Sequence, residues 1–247
     1  MAARPPGGAT RRLTAIRRAI VACTRCPELR AYCSRIAREK KREFATETYW
    51  GKPVPSIGHA SARLLIMGLA PAAHGGNRTG RMFTGDGSAT FLSRALYQAG
   101  FATQATSVRR GDGFELIDGF MSAALRCAPP DNRPTRIQLE RCAAHLRCEL
   151  DVLGALEVVV ALGKIALDNI YARLRERGYA SSARVLFRHG GEWRLSASGP
   201  PDLILMSSYH PSRQNTTPGR LTQGMLDRIF ARARALLSVR PKVARVR

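Results

Sequence analysis

The segment from Gly68 to Ser88 is rich in glycine and in polar residues, and it is the part of the chain best suited to bind a ligand. Its glycines let the backbone approach a bound molecule closely. It lies between an apolar run and a helical pattern, and such strand-to-helix crossings of open α/β sheets are where ligand sites form. Connections this long are usually functional or disordered, so we interpret it as a binding loop rather than as a solvated loop with turn glycines. Its polar residues include His74, Asn77, Arg78, Arg81 and Asp86.

The chain contains six cysteines, of which four have a spacing that suits a metal or cluster site. The first two form a Cys-x-x-Cys pair, which presents two thiolates from one turn of chain. The third follows a predicted strand, and the fourth lies on the helix predicted after it. Four thiolates suffice for zinc or for a [4Fe–4S] cluster, and spacing alone does not separate these. The four are Cys23, Cys26, Cys127 and Cys142.

Two cysteines remain outside this set. Cys33 and Cys148 are interpreted as small buried residues or partly exposed thiols. Cys142 is preferred to Cys148 as a ligand because it shares a helix face with core leucines, and about 120° of helical rotation separates the two.

A second group of polar residues begins at His210, directly after the last predicted strand. Pro211 cannot continue a strand ladder and stiffens the turn. If the strands are parallel, His210 lies at the same sheet edge as the Gly68 loop, where it could donate a hydrogen bond or act as an acid. The alternative is a histidine that only caps a turn. Ser212, Arg213 and Gln214 follow, and they are suited to contact phosphates or to enter a groove.

The elements that position these residues alternate between apolar runs and helical patterns. The run from Leu156 to Leu162 is continuous and β-branched, as buried parallel strands are. A short hairpin is predicted around Gly190. The alternation predicts one three-layer α/β/α domain with a central, mainly parallel sheet. We predict strands at 64–67, 120–126, 156–162 and 203–207, and helices over 11–22, 29–44, 89–98, 135–153, 163–175 and 221–237.

The charge of the chain predicts a polyanionic partner. It carries 40 Lys and Arg against 18 Asp and Glu, a formal net charge of +22. Such a field attracts polyanions, nucleic acid being the commonest, and binding is then strongly dependent on salt. No apolar run approaches the length of a membrane span, so no membrane partner is expected. We predict a single domain over residues 11–239, with basic disordered arms at 1–10 and 240–247 that add non-specific affinity.

Three features together make the chain resemble the uracil-DNA glycosylases. They are Gly68-Leu69-Ala70-Pro71 after the first strand, the turn His210-Pro211-Ser212, and the four cysteines. The chain is most similar to the iron–sulfur branch, and within it to the type-5 enzymes of bacteria and archaea, whose signature resembles segments 75–81 and 83–86. The resemblance covers roughly residues 20 to 237.

The resemblance implies a function and a set of roles. The fold would be that of uracil-DNA glycosylases, and the reaction would be hydrolysis of the N-glycosidic bond of uracil flipped out of double-stranded DNA, leaving an abasic site. Phe83 would stack on the uracil, backbone groups of Gly68, Leu69 and Ala70 would read its polar edge, and His210 would stabilise the departing anion. A [4Fe–4S] cluster on the four cysteines is favoured over zinc on this ground only. Phosphate-binding groups would come from Arg78, Arg81, Ser212, Arg213 and Gln214.

The same resemblance implies a setting and a breadth of substrate. We expect a monomer that acts in the cytoplasm of a prokaryotic cell, on the nucleoid, and that tolerates other deaminated or modified bases. We call Gly68-Leu69-Ala70-Pro71 the first motif. Most of the superfamily carries a carboxylate or an amide side chain in this motif, whereas the corresponding positions here are Leu69 and Ala70. The amide that related enzymes often place four residues before the third cysteine is also replaced, by Ala123. Asn77 is our first candidate to orient the attacking water and Asp86 the second.

Two other functions stay open on the sequence alone. Without a polar side chain in the first motif, the protein could be a non-catalytic nucleic-acid-binding module braced by a cluster or by zinc. A redox iron–sulfur protein is the third hypothesis, and the strong positive charge and the polar loop count against it.

Overall fold

The structure is a computed structural model that describes residues 6–238. Two single-turn 3₁₀ helices, Arg42–Phe44 and Pro130–Asn132, accompany the regular elements. The helices are α1 (Pro6–Val21), α2 (Pro27–Glu39), α3 (Gly76–Thr79), α4 (Gly87–Gln98), α5 (Arg136–Leu150), α6 (Lys164–Glu176), α7 (Arg213–Thr216) and α8 (Gln223–Ser238). The strands are β1 (Ile57–Gly58), β2 (Leu64–Gly68), β3 (Gly119–Ala123), β4 (Val158–Leu162), β5 (Gly191–Leu195) and β6 (Leu203–Ser208).

The strands form one sheet in the order β1-β3-β2-β4-β6-β5. The four central strands are parallel, while β1 and β5 pair antiparallel at the two edges. Strand β2 shows why the sheet needs cover on both faces, because Leu64 and Ile66 pack into one core and Leu65 and Met67 into the other. Helices α4 and α8 cover the first face, and α1, α5 and α6 the second. The three-layer, mainly parallel prediction is confirmed.

This topology brings three separate parts of the chain to one edge of the sheet. Parallel strands end at the same edge, and in open α/β sheets that carboxyl edge is where ligand crevices form. The Gly68 loop follows β2, Cys127 follows β3 closely, and the His210 turn follows β6. The chemistry-bearing segments of the sequence therefore meet because of strand order alone.

Several boundaries differ from those predicted. Helix α1 begins at Pro6, so residues 6–10 are helical rather than part of a disordered arm; proline is tolerated in a first turn, where its missing N–H has no partner to lose. The rest of that arm and the basic tail lie outside the described residues. Helix α2 ends at Glu39 because Lys40 takes a left-handed φ of 56°. Strand β1 and the short helices α3 and α7 carry too few residues to show a period, and the predictions missed them.

Helix α5 follows its prediction closely, whereas the last hairpin is displaced. Thr135 caps α5 and accepts a hydrogen bond from the Gln138 amide, while the Gln138 side chain accepts one from the Thr135 amide. The hairpin predicted around Gly190 lies later in the chain, since Gly190 precedes β5, and β5 pairs antiparallel with β6 through the connection at 196–202. Within residues 6–238, no helix is long and apolar enough to cross a membrane.

Candidate active site

Phe83 and His210 come together over Gly68 at the carboxyl edge of the sheet. Their ring centroids are 5.8 Å apart and the ring planes differ by 31°. A Cβ added to Gly68 would lie 2.7 Å from the Phe83 ring, so the ring rests on bare backbone at the end of β2. Phe83 itself has a φ of 44°, a strained conformation that persists only where the surroundings fix it. We call Gly68, Phe83 and His210, together with Asp86 at the nearby start of α4, the base pocket.

His210 is held by its backbone and by the chain around it. The Asn215 side-chain amide donates to the His210 carbonyl at 2.8 Å, and the Gly163 amide donates to the Ser208 carbonyl at 2.8 Å. Burial among protein atoms lowers the pKa of His210 to about 4. The imidazole is therefore neutral at neutral pH, and it can donate one hydrogen bond and accept one.

Asp86 lies where the Gly68 loop enters α4. Its Oδ1 accepts a hydrogen bond from the Ala89 amide at 2.9 Å, which makes it the N-cap of the helix. The carboxylate lies against Gly75, where any side chain would overlap with it. Burial raises the pKa of Asp86 in spite of its backbone hydrogen bonds. A carboxylate so placed is a better proton acceptor than one in water.

The four predicted cysteine ligands line one small cavity between the α1–α2 junction, the end of β3 and α5. Cys26 and Cys127 are buried, and Cys23 and Cys142 are partly so. Within residues 6–238, no three Cys, His, Asp or Glu side chains converge on a point that would hold one metal ion. Zinc needs all its thiolates about 2.3 Å from one centre. A [4Fe–4S] cluster takes one thiolate on each of its separate irons, and four thiolates around one cavity are a donor set that can hold it. We call these residues and the space they enclose the cysteine cavity.

Comparison with known proteins agrees with this geometry. The Uracil DNA glycosylase superfamily model matches residues 55–234. A type-5 uracil-DNA glycosylase of Thermus thermophilus is 44% identical over 88% of this chain and 94% of its own length. Type-5 uracil-DNA glycosylases of Pyrobaculum aerophilum and Mycobacterium leprae are 42% and 41% identical, over 87% and 89% of this chain and 89% and 93% of theirs.

The chain belongs to the uracil-DNA glycosylase superfamily. A type-4 uracil-DNA glycosylase of Pyrobaculum aerophilum is more distant, at 32% identity over 52% of this chain and 60% of its own length. The resemblance inferred from the three sequence features is thus confirmed.

The residues of the first motif can contribute backbone groups to the site, but their side chains carry no functional group. Leu69 and Ala70 are partly exposed after β2. The Leu69 carbonyl accepts a hydrogen bond from the Leu125 amide at 2.9 Å, and the Gly68 carbonyl accepts one from the Ala124 amide at 3.0 Å. These bonds clamp the start of the loop to the chain that leads to Cys127.

Asn77, the first candidate for orienting water, lies inside the protein. It is 1% exposed, and its side-chain amide donates to the Cys33 carbonyl at 3.3 Å and to the Ala73 carbonyl at 3.4 Å. Its Oδ1 has no hydrogen-bond partner among the described residues. The structure thus aims the amide of Asn77 at α2, whereas Asp86 lies in the base pocket.

Arg78 and Arg81 were predicted to contact DNA, but the structure places neither guanidinium where a phosphate could reach it. Arg78 is 6% exposed, and it donates to the His74 carbonyl at 2.8 Å and the Gly85 carbonyl at 2.7 Å. Arg81 is 7% exposed and forms an ion pair with Asp112 at 2.8 Å. Sequence alone cannot tell an arginine that braces a loop from one that faces solvent, because the residue type is the same.

The other predicted DNA-binding residues do lie at the surface. Ser212 precedes α7, and Arg213 and Gln214 are exposed on that short helix directly after the His210 turn. A Cβ on Gly87 would lie 4.0 Å from the Arg213 guanidinium, so α7 adjoins the first turn of α4. The base pocket therefore has a cationic rim.

Two residues that support the pocket were missed. His189 stacks on Tyr209 at 5.3 Å, and its Nδ1 lies 3.3 Å from the Tyr209 amide. Asn215 holds the His210 carbonyl, as described above. Asn215 is close enough in sequence to be suspected as a turn residue, whereas no signal marked His189, which lies in a segment predicted as irregular.

A fully buried ion pair adjoins the cysteine cavity. Arg126, which lines the cavity, pairs with Glu149, and their side chains are 1% and 0% exposed. Ser122 donates to Glu149 at 2.8 Å and accepts from Arg126 at 2.7 Å. Within the described residues, Nε and Nη1 of Arg126 have no hydrogen-bond partner. This network joins β3 to α5 under the cavity.

Proposed function

We propose that this protein excises uracil from DNA by hydrolysing its N-glycosidic bond, leaving an abasic site. The observation that carries the proposal is the placement of Phe83 and His210, from distant parts of the chain, next to each other above Gly68. Membership of the superfamily and similarity to proteins named type-5 uracil-DNA glycosylases support it.

The pocket can seat a pyrimidine and stabilise it as it leaves. A base within a duplex must be flipped out before its glycosidic bond is reachable. Phe83 offers a fixed aromatic face for stacking, and a neutral His210 donates a hydrogen bond to a uracil oxygen. Charge develops on the base as the bond breaks, so that hydrogen bond strengthens in the transition state. One such donor is worth about 10²–10³ in rate.

Asp86 is the group that we assign to the attacking water. Leu69 and Ala70 cannot hydrogen-bond water through their side chains, and the amide of Asn77 faces α2. Asp86 combines a carboxylate, a raised pKa and a position at the start of α4, three residues after Phe83. It can accept the proton of a water that attacks the sugar carbon, while the electron pair of the broken bond leaves with uracil.

We propose double-stranded DNA as the substrate and a [4Fe–4S] cluster as the resident group. The net charge of +22 and the exposed helix α7 support binding to a polyanion. Cys23, Cys26, Cys127 and Cys142 would hold the cluster, which would brace the α1–α2 junction against β3 and α5. We further propose that the protein acts as a monomer in the cytoplasm of a prokaryotic cell, and that Leu69 and Ala70, which make no base-specific hydrogen bonds through their side chains, admit other deaminated or modified bases.

The test is incubation of the purified protein with duplexes that contain uracil, hypoxanthine or no lesion. We expect release of free uracil and alkali-labile abasic sites from the first duplex and none from the undamaged one. Salt-dependent DNA binding without base release would overturn the proposal in favour of a non-catalytic binding protein. Iron and labile sulfide content, with absorbance near 400 nm, decides between a cluster and zinc in the same preparation.

A further inference from the structure

The connection between α4 and β3 is far longer than its ends require. Helix α4 runs away from the carboxyl edge, and Asp118 lies beside the start of β2, where its carbonyl accepts from the Leu64 amide at 3.1 Å. A short turn at this amino edge would therefore join the two elements. Residues 99–118 are used instead, and such long connections inside a compact domain are usually functional.

This connection is a hairpin-like loop, whose two arms pair at their base and whose far end reaches the opposite edge of the sheet. At its base, Ala102 and Leu116 form an antiparallel bridge and the Ile117 amide donates to the Phe101 carbonyl at 2.8 Å. At its far end, the Ser107 carbonyl accepts from the amide of Gly85 at 2.8 Å, and Gly85 directly precedes Asp86 of the base pocket. We call residues 101–117 the rim hairpin. It spans the height of the domain to place its tip beside Phe83 and Asp86.

The tip of the rim hairpin is rigid. One carboxylate, that of Asp112, accepts hydrogen bonds from the amides of Val108 at 2.8 Å, Arg109 at 3.1 Å and Phe114 at 3.0 Å. The same carboxylate pairs with Arg81, which also donates to the Ser107 hydroxyl at 3.0 Å. The two loops are thus locked together by an arginine that was expected to contact DNA.

What this rigid tip presents to solvent is one apolar side chain beside two cations. Val108 is 59% exposed, and Arg109 and Arg110 are exposed next to it. Arg110 lies over the Trp50 ring at 4.4 Å, which fixes its direction. Asp112, the carboxylate within the tip itself, is paired with Arg81. An apolar side chain next to arginines is the chemistry by which proteins wedge a base step while binding its phosphates.

We propose that the tip of the rim hairpin is a DNA-contacting element of the base pocket. Arg109 and Arg110 bind backbone phosphates, and Val108 packs against a base exposed next to the extruded nucleotide. The inference rests on the proposed function only for Val108, since phosphate binding by the arginines needs no catalysis.

The arginines are tested on an undamaged duplex by fluorescence anisotropy across a salt series. Compared with the wild type, Arg109→Ala/Arg110→Ala is expected to lower the slope of log affinity against log salt by about 2, because each phosphate contact contributes about 0.9. Arg175→Ala is the matched control, an exposed arginine in the last turn of α6 at the opposite edge of the sheet. An equal slope in the double variant and the control would overturn the phosphate assignment, even if the protein releases no uracil.

Val108 is tested through extrusion. A duplex with 2-aminopurine beside uracil reports unstacking as a rise in fluorescence when protein binds. Val108→Ser is expected to reduce that rise and to lower the preference for uracil-containing over undamaged duplex about fivefold, which corresponds to about 1 kcal/mol. Ile117→Ser, an equally apolar residue at the base of the same hairpin and 47% exposed, is expected to change neither. Wild-type fluorescence and preference in Val108→Ser would show that the tip is not a wedge. If wild-type protein binds and unstacks the duplex but releases no uracil, only the proposed hydrolysis fails.

Discussion

The base pocket and the cysteine cavity adjoin the same sheet edge but are built in opposite ways. In the pocket, Phe83 and His210 keep an accessible edge and are fixed through glycines and backbone hydrogen bonds. In the cavity, the sulfur ligands are buried or partly buried, and the Arg126–Glu149 pair is buried beside them. Side chains that, like those of Phe83 and His210, join no two elements by hydrogen bonds of their own can act on a substrate. Those that join two elements are instead committed to stability, so the two regions should respond differently to mutation.

The strongest test of this difference is Glu149→Gln. It leaves the buried charge of Arg126 without its partner, and breaking such a pair typically costs about 3–5 kcal/mol. We expect the free energy of unfolding in denaturant to fall by that amount, while the excision rate of the folded protein stays near wild type.

The matched control for that variant is Glu140→Gln, which removes an exposed carboxylate from the same helix. Glu140 pairs with Arg136 at 3.3 Å, and their side chains are 62% and 89% exposed. Exposed pairs of this kind contribute about 0.3–0.5 kcal/mol. If Glu149→Gln lost no more stability than Glu140→Gln, the division between a catalytic and a structural region would be wrong.

The corresponding change in the pocket is His210→Ala. It removes the donor to the departing base, and we expect the single-turnover excision rate to fall about 10²–10³-fold. The melting temperature should move little, because the hydrogen bond described for His210 runs through its backbone and the ring contact described for it is with the partly exposed Phe83. His59→Ala, at an exposed histidine, serves as the control. A full excision rate in His210→Ala would remove this residue from the mechanism.

Asp86→Asn separates the two duties of Asp86. Asparagine caps a helix about as well as aspartate, so α4 should remain capped while the proton acceptor is lost. We expect a fall of about 10²-fold in excision rate at neutral pH, the lower range for acid–base groups. Asp86→Ala should lose the cap as well and be less stable by about 1 kcal/mol.

The pH dependence gives Asp86 a second readout. Since burial raises its pKa, the carboxylate becomes ionised only above a higher pH than usual, and wild-type excision should rise through that pKa. His210, with a pKa of about 4, adds no inflection to the excision profile near neutrality.

The contribution of Asp86 to folding stability changes with pH in the opposite direction to the excision rate. The native state holds this proton more tightly than the unfolded state, so the stability that Asp86 contributes declines as pH rises through the window. Asp86→Asn should therefore gain stability relative to wild type above that window, and an excision profile unchanged by the variant would rule Asp86 out.

The sequence predicted the parts of the molecule that depend on pattern and residue type. The apolar runs gave the central strands, and strand order then placed Gly68, Cys127 and His210 at one edge. Prediction from the sequence failed where a polar side chain can point either towards solvent or into the protein. Arg78 and Arg81 read as phosphate contacts but turn inward to Gly85 and Asp112, and Asn77 turns towards Cys33. Direction depends on partners that are distant in the chain, and no local spacing encodes those.

The smallest expected effect concerns the glycine beneath the pocket. Gly68→Ala would put a methyl group 2.7 Å from the Phe83 ring, and the ring must shift because the strand beneath it cannot. Overpacking of this kind costs about 1–3 kcal/mol, part of which the ring relieves by moving away from His210. We therefore expect about tenfold weaker binding of uracil-containing duplex, measured by anisotropy, with a loss of stability at the lower end of that range. Gly154→Ala is the control, since a Cβ there meets no atom within 4 Å. Gly68→Ala could instead unfold the protein and leave DNA binding by the folded fraction intact. The contact between Gly68 and Phe83 would then serve stability rather than binding, and it would belong to the structural region with the cysteine cavity.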